Sequence, residues 1–440
     1  MVHYKDKNII VLGYGRSGKS AIHALSILGA KVTLTTNENI VDEVILEELR
    51  KQTVQIVDGH HPIHLLNDAD LIVKNPGIPY TIPFLQEALK RGIPIITEVE
   101  LAYKLHEKDI IGITGTNGKT TVTTLIGELL TDETHHPILC GNIGYPAAEA
   151  VLNNNTEDLA IELSSFQLMG IVDFKPDIAV ITNIYEAHLD YHKDAEEYRN
   201  AKLNLIKNME KNDLLIFNLD QKEILKDRSV KSEIQYFSPK EKTDAYVLDD
   251  KVYVNNRFII NVEDIVLKGA HNLENILASL LVADKKNVPI SHMVKVLTTF
   301  KGIPHRLEYV GKKDDVKYYN DSKATNALAT TFALRSFQND TIWIAGGLDR
   351  GQDFIELTPY LEHVKLAVVF GETKEKLTQF LSAHNIKTIG TENPHTAVKI
   401  AHEESLPGDI VLFSPACASW DQYTDFEIRG NHFKEGFHSL

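Results

Sequence analysis

Two short stretches of this 440-residue chain carry residue types that can handle phosphate. The first is Gly115-Thr116-Asn117-Gly118-Lys119-Thr120-Thr121, set between an apolar run, Ile110–Ile113, and a helical pattern through Val122, Leu125, Ile126, Leu129 and Leu130. In a strand, glycine-rich turn and helix, backbone N–H groups and a helix N-terminus face an anion; a lysine adds charge and a hydroxyl suits magnesium. The common pattern wants glycine at 113, where the chain has Ile113, so the loop is a variant of that motif. The second stretch is Gly13-Tyr14-Gly15-Arg16-Ser17-Gly18, which follows an apolar strand at Asn8–Leu12 and opens a helix. Its spacing is that of a dinucleotide turn, but a nicotinamide site wants an acid at the end of the next strand, Lys31–Thr35. Thr35 and Thr36 stand there and Glu38 comes late, so the phosphates of another nucleotide suit the loop equally well.

Other polar residues fall just past apolar runs, where open parallel sheets bind ligands. Asn75-Pro76-Gly77 follows Leu71–Lys74, and Gly141-Asn142 follows Pro137–Cys140. Glu162 ends Leu159–Leu163, and His188 comes shortly after Ile178–Thr182. A carboxylate beside a phosphate loop is a natural magnesium ligand, because magnesium prefers hard oxygens. Taken singly, Glu162 reads as a solvated or capping acid, His188 as a structural histidine and Lys202 as surface charge. Asn275, near the start of a helix running to about Ala283, reads as a cap or as a partner for a base edge. Cys417 invites comparison with a nucleophilic thiol, but no partner histidine is evident, and a small-residue turn is the better reading.

The elements that must position these groups alternate strand and helix in three blocks. The expectation is an α/β protein of three domains, each built on an open, mostly parallel sheet with flanking helices. The blocks are 1–97, Rossmann-like; 98–302, carrying the phosphate loop and an antiparallel excursion at Asp244–Val262; and 303–440, Rossmann-like again, with His305–Glu308 opening a strand. Gly302-Ile303-Pro304 reads as a linker and hinge. The net charge of −15 speaks against a nucleic-acid partner. Two cysteines, Cys140 and Cys417, suit a reducing compartment. Met1–Lys7 is polar, not a signal sequence, and no apolar run has the length of a membrane span. The expectation is a cytoplasmic monomer.

Together the motifs resemble the Mur ligase family over the whole chain. The resemblance rests on Gly115–Thr120, on Glu162-Leu163-Ser164-Ser165-Phe166-Gln167-Leu168, on Asp321-Ser322-Lys323-Ala324-Thr325-Asn326, and on Ser414-Pro415-Ala416-Cys417-Ala418-Ser419. The Asp-Asn-Pro-Arg of diaminopimelate-adding relatives is absent, and the first domain missing from folate-adding relatives is present. The resemblance implies an ATP-dependent amide ligase that adds D-glutamate to UDP-N-acetylmuramoyl-L-alanine through an acyl phosphate, in peptidoglycan precursor synthesis. It places the UDP substrate near Gly15, Arg16, Ser17, Thr36, Asn75, Gly77 and Asn142. It gives ATP to residues 115–121, Asn275, Arg306 and Asp321. Two magnesium ions go to Thr120, Glu162, His188 and Lys202, with Lys202 carrying a carbamate. The amino acid goes to Lys323, Thr325, Arg350, Ser419 and Phe426. Lys119, His188, Lys202 and Lys323 are the implied catalytic set. A nicotinamide oxidoreductase would leave Lys119 and Lys202 idle, and a phosphate-loop kinase or switch would leave the third domain without a task.

Overall fold

The computed structural model describes residues 4–188, 191–226 and 228–440. The chain forms two compact units, Met1–Phe300 and Lys301–Leu440.

The first unit holds two sheets. The smaller has the strand order Gln55–Val57, Lys31–Thr35, Asn8–Leu12, Leu71–Lys74, Ile95–Ile96, parallel throughout. Chain order runs outward in both directions from Asn8–Leu12. The crevice beyond the ends of Asn8–Leu12 and Leu71–Lys74 is therefore a topological switch point, where such sheets take ligands. The larger sheet has nine strands, and Ile110–Thr114 lies between Leu159–Glu162 and Ile178–Ile181, both parallel to it. Every residue of Ile110–Thr114 is buried, which is why it reads as an uninterrupted apolar run.

The antiparallel excursion expected at Asp244–Val262 is an extension of this sheet. Ala245–Leu248 pairs parallel to Glu233–Ser238 before the chain turns back through Lys251–Val254 and Arg257–Asn261. The sequence reading passes over two strands, Leu214–Asn218 and Glu233–Ser238, that connect this extension to Ile178–Ile181.

One hydrophobic cluster runs through both sheets of the first unit. It includes Ile9 and Val11 of the small sheet, Val99 and Leu101 of the helix Glu98–Leu105, and Ala147, Leu159 and Ile161 around the large one. Each fully buried aliphatic side chain contributes about 1.5–3 kcal/mol, so this shared core fixes the two sheets as one body.

In the second unit the order is Glu308–Lys313, Val316–Asn320, Ile410–Phe413, Thr341–Gly346, Val364–Phe370, Lys387–Gly390, with an antiparallel hairpin first and parallel pairing after it. The strand expected to open at His305 begins at Glu308 instead. His305 and Leu307 have φ of 64° and 44°, the left-handed region that no strand tolerates. Among the described residues no helix is long and apolar enough to cross a membrane.

Candidate active site

The loop after Ile110–Thr114 has a shape only its own residues permit. Gly115 has φ 154°, and a Cβ there would lie 1.9 Å from Thr182 Oγ1. Gly118 caps the helix Lys119–Leu130 in the left-handed conformation, φ 82°, with a virtual Cβ 2.2 Å from Asn275 Oδ1. Any side chain at either position would displace the loop. Asn183 fastens the loop from the neighbouring strand end: its carbonyl accepts from Thr116 N–H at 2.8 Å and its Oδ1 from Asn117 N–H at 2.9 Å. Lys119 Nζ folds back to donate to the carbonyls of Gly115 (2.8 Å) and Thr116 (3.0 Å). Thr120 and Thr121 follow in the first turn of the helix, Thr120 buried. Asn275 is no cap: the helix starts at Ala270, and Asn275 is buried within it against Gly118.

Glu162 is paired in register with Ile113, so its side chain is delivered beside the loop. It is buried; Oε1 accepts from Asn142 Nδ2 at 2.8 Å, and Oε2 has no hydrogen-bond partner among the described residues. An orphaned buried carboxylate oxygen costs free energy unless something positive meets it, and beside a phosphate loop a hard cation fits. Lys202, in the helix Ala195–Leu203, is buried and not a surface charge. Its Nζ donates to Gly115 O at 2.7 Å, the carbonyl that Lys119 also uses, and lies 4.8 Å from the centre of the Tyr198 ring. Burial, and then the charge of Lys119, push the Lys202 pKa well below the ordinary lysine value, against the pull of Glu162. A neutral amine here can add carbon dioxide, so the residue fits a carbamate. His188 has φ 56°, and its ring meets Phe166 edge-on at 5.2 Å. Among the described residues no three His, Cys, Asp or Glu side chains gather to hold a metal by themselves.

A cavity of about 360 Å³ opens at the switch point of the small sheet. Of the residues expected around a UDP substrate, Gly15, Arg16, Ser17, Asn75, Gly77 and Asn142 line it. Thr36 does not; its N–H is tied to the Val57 carbonyl at 3.2 Å. Ser164, Phe166 and Gln167 line the far wall, contributions that the sequence reading did not assign. Ser164 and Gln167 form a capping box: Ser164 Oγ accepts from Gln167 N–H, and Gln167 Oε1 accepts from Ser164 N–H at 2.9 Å. The Ser-x-x-Gln spacing is the signal that announces it.

In the second unit, Asp321 follows Val316–Asn320 and is buried. It accepts from Leu307 N–H (3.1 Å) and Ser414 Oγ (2.8 Å), and burial pushes its pKa up to about 7. Lys323 Nζ stands 5.8 Å from the Phe426 ring. Thr325 lies one residue before the cap, Asn326, of the helix Ala327–Leu334. Ser419 is buried, and the guanidinium of Arg350 stacks on Trp420 at 4.5 Å. Arg429, which the sequence reading did not mention, is wholly buried and donates to Ser322 Oγ, Ser322 O and Cys417 O. It ties the loop from 321 to that from 414. The Cys417 thiol is buried and its pKa pushed up by burial, so it is no nucleophile.

A phosphate loop on a buried parallel sheet, with a second, Rossmann-like sheet packed against it, defines a nucleotide-handling α/β enzyme. Three family models match in succession: the Mur ligase MurD-like N-terminal domain over residues 7–97, the Mur ligase middle domain over 113–283, and the Mur ligase glutamate ligase domain over 305–417. The chain is 50% identical over 432 residues to the UDP-N-acetylmuramoylalanine–D-glutamate ligase of Macrococcus caseolyticus, covering 98% of this chain and 97% of the relative. It is 48% identical over 442 residues to the ligase of the same name from Staphylococcus carnosus, covering 99% and 98%. Among solved structures, the UDP-N-acetylmuramate–alanine ligase MurC of Thermotoga maritima aligns with TM-score 0.55 at 20% identity, over 98% of this chain and 99% of that one. The MurF ligase of Thermotoga maritima in complex with ADP aligns with TM-score 0.57 at 18% identity, over 99% and 96%. The chain belongs to the Mur ligase family.

Proposed function

We propose that the protein is an ATP-dependent ligase that joins D-glutamate to UDP-N-acetylmuramoyl-L-alanine, releasing ADP and phosphate, in peptidoglycan precursor synthesis. The observation that carries this reading is the convergence of Lys119 and Lys202 on one carbonyl, Gly115 O, beside Glu162 Oε2, which has no hydrogen-bond partner among the described residues. The division of labour we infer is 1–97 for the UDP substrate, 98–302 for ATP, and 303–440 for the amino acid.

A carboxylate is a poor electrophile, so the substrate carboxylate must first be activated as an acyl phosphate. The transfer of a γ-phosphoryl group asks mainly for positioning and charge neutralisation. Lys119 exchanges its two carbonyl partners for phosphate oxygens, and the loop amides and helix N-terminus face the same anion. Thr120, Glu162, His188 and a carbamylated Lys202 would hold two magnesium ions, which when bound supply further neutralisation of the transferring charge. Arg350 takes the side-chain carboxylate of the incoming amino acid in a planar fork, and Lys323 its other charge. The amine, once neutral, attacks the acyl carbon, an amide forms and phosphate leaves. Positioning the reactants accounts for up to roughly 7–11 kcal/mol in favourable cases.

The test is phosphate release from magnesium-ATP with UDP-N-acetylmuramoyl-L-alanine and single amino acids. Release that requires D-glutamate and disappears in Lys119→Ala is expected. Release with another amino acid reassigns the pocket around Arg350, and no release with any acceptor, bicarbonate present, ends the reading.

A further inference from the structure

Lys74 ends the strand Leu71–Lys74, where a lysine ordinarily reaches solvent, yet it is 1% exposed. Its Nζ donates to the carbonyls of Asn75 (3.2 Å), Pro76 (3.0 Å) and Ile78 (2.7 Å) and to Tyr191 Oη (3.2 Å). Tyr191 Oη lies 3.1 Å from both the Pro76 and the Ile78 carbonyls. The turn is thus wound around one ammonium. Three carbonyls aimed at one point repel each other, and a cation at the focus turns that repulsion into attraction. The other face of the same turn is the cavity wall: Asn75, Pro76 and Gly77 line it, and a Cβ on Gly15 would lie 2.5 Å from Asn75 Nδ2. Tyr191 packs on Phe166 with ring centres 4.3 Å apart, and Phe166 lines the opposite wall.

We propose that Lys74 is a positioning residue for the nucleotide-sugar substrate. Its ammonium fixes the turn Asn75–Ile78 and, through Tyr191 and Phe166, holds the two walls of the cavity at their working separation. Burial pushes the Lys74 pKa down to about 7, so the surrounding oxygens are what favour the charged form. A hydrophobic residue of the same length would strand three carbonyls in a buried place, and the turn would open to satisfy them.

The inference rests on the cavity taking the UDP substrate. Steady-state kinetics of Lys74→Met should show KM for UDP-N-acetylmuramoyl-L-alanine raised roughly tenfold or more, the loss of one charged hydrogen-bond focus, with KM for ATP within about twofold of the parent. Lys74→Arg, which returns a cation to the focus, should recover most of that loss. A residue needed only for folding would lower the active fraction and leave KM alone. Tyr191→Phe, which removes one oxygen and creates no cavity, carries the test should Lys74→Met not fold; KM for the UDP substrate should rise about threefold and KM for ATP stay put. An unchanged KM for the UDP substrate, or an equal rise for ATP, overturns the proposal. A parent enzyme whose phosphate release ignores the UDP substrate instead overturns the reading of the cavity.

Discussion

Lys74 and Lys202 are both buried amines of the first unit, both pushed down in pKa by burial, yet their surroundings differ in kind. Lys74 has four oxygens for three N–H donors and no charged neighbour among the causes of its shift. Lys202 donates to Gly115 O alone among the described residues, with another lysine close by. Burial by itself does not tell a structural cation from a reactive amine; the count of acceptors does. A saturated ammonium has its charged form favoured by every acceptor around it. An amine with one acceptor and a like charge nearby is shifted towards its neutral form, and a neutral amine can do chemistry.

The largest effect that could break this contrast is at Lys202. Replacement by alanine should lower phosphate release by at least about 1000-fold, about 4 kcal/mol, because in the proposed mechanism it removes an anionic ligand of the second metal ion. The same assay run without dissolved carbon dioxide should slow the parent enzyme and not the Lys202→Ala variant. Labelled bicarbonate should give a carbamate resonance that Lys202→Ala lacks and Lys74→Met retains. A carbamate lost with Lys74 would reverse the assignment.

Carboxylates repeat the contrast and sharpen it. Glu98, like Glu162, is buried with one oxygen unpartnered among the described residues, but it sits where the helix Glu98–Leu105 meets Ala148, not beside the phosphate loop. Burial pushes its pKa up to about 7 from 4.5, opposed by the Ala148 N–H and the Ser20 hydroxyl. The folded state therefore holds a proton between pH 4.5 and 7 that the unfolded state releases. Stability from this group is complete below pH 4.5 and is lost as pH rises through 7. Glu98→Gln removes that loss, so relative to the parent it should gain on the order of 3 kcal/mol between pH 5 and pH 8, read as a higher melting midpoint. Asp321 has the same sign in the second unit, whose own slope should be untouched. A Glu98→Gln variant whose melting midpoint keeps the same difference from the parent at pH 5 and pH 8 would show that Glu98 stays ionised.

Much of this was legible in the sequence because buried parallel strands declare themselves. Ile110–Thr114 and Leu159–Glu162 are apolar runs cut off by polar residues, and the cut marks the edge where chemistry sits. Gly115 and Gly118 were legible as a loop because no other residue tolerates their geometry. Lys74 was not. A lysine at a strand end looks solvated, and its burial depends on Tyr191, 117 positions along the chain. Asn183 was opaque for the same reason: a polar residue after a strand gives no sign that it will hold two amides of a different loop. Local patterns report which face an element buries. They do not report which distant side chain closes over a turn. Leu307 misled differently, since its type does not favour positive φ and its N–H bond to buried Asp321 goes with that conformation.

The smallest effect tests the number of acceptors directly. Tyr191→Phe takes one oxygen from Lys74 and leaves the ring on Phe166 in place. A net hydrogen bond of this kind contributes about 1 kcal/mol, so the melting midpoint should fall by a few degrees. The deficit depends on whether Lys74 is charged. Its folded pKa is about 7 against 10.5 unfolded, so the folded amine is an ammonium below pH 7 and neutral above. The missing acceptor matters most to the ammonium, and the deficit should be larger at pH 6 than at pH 9, where the phenylalanine variant should approach the parent. The sign separates the two lysines. A deficit equal at both pH values would mean that the four oxygens around Lys74 are incidental to its charge.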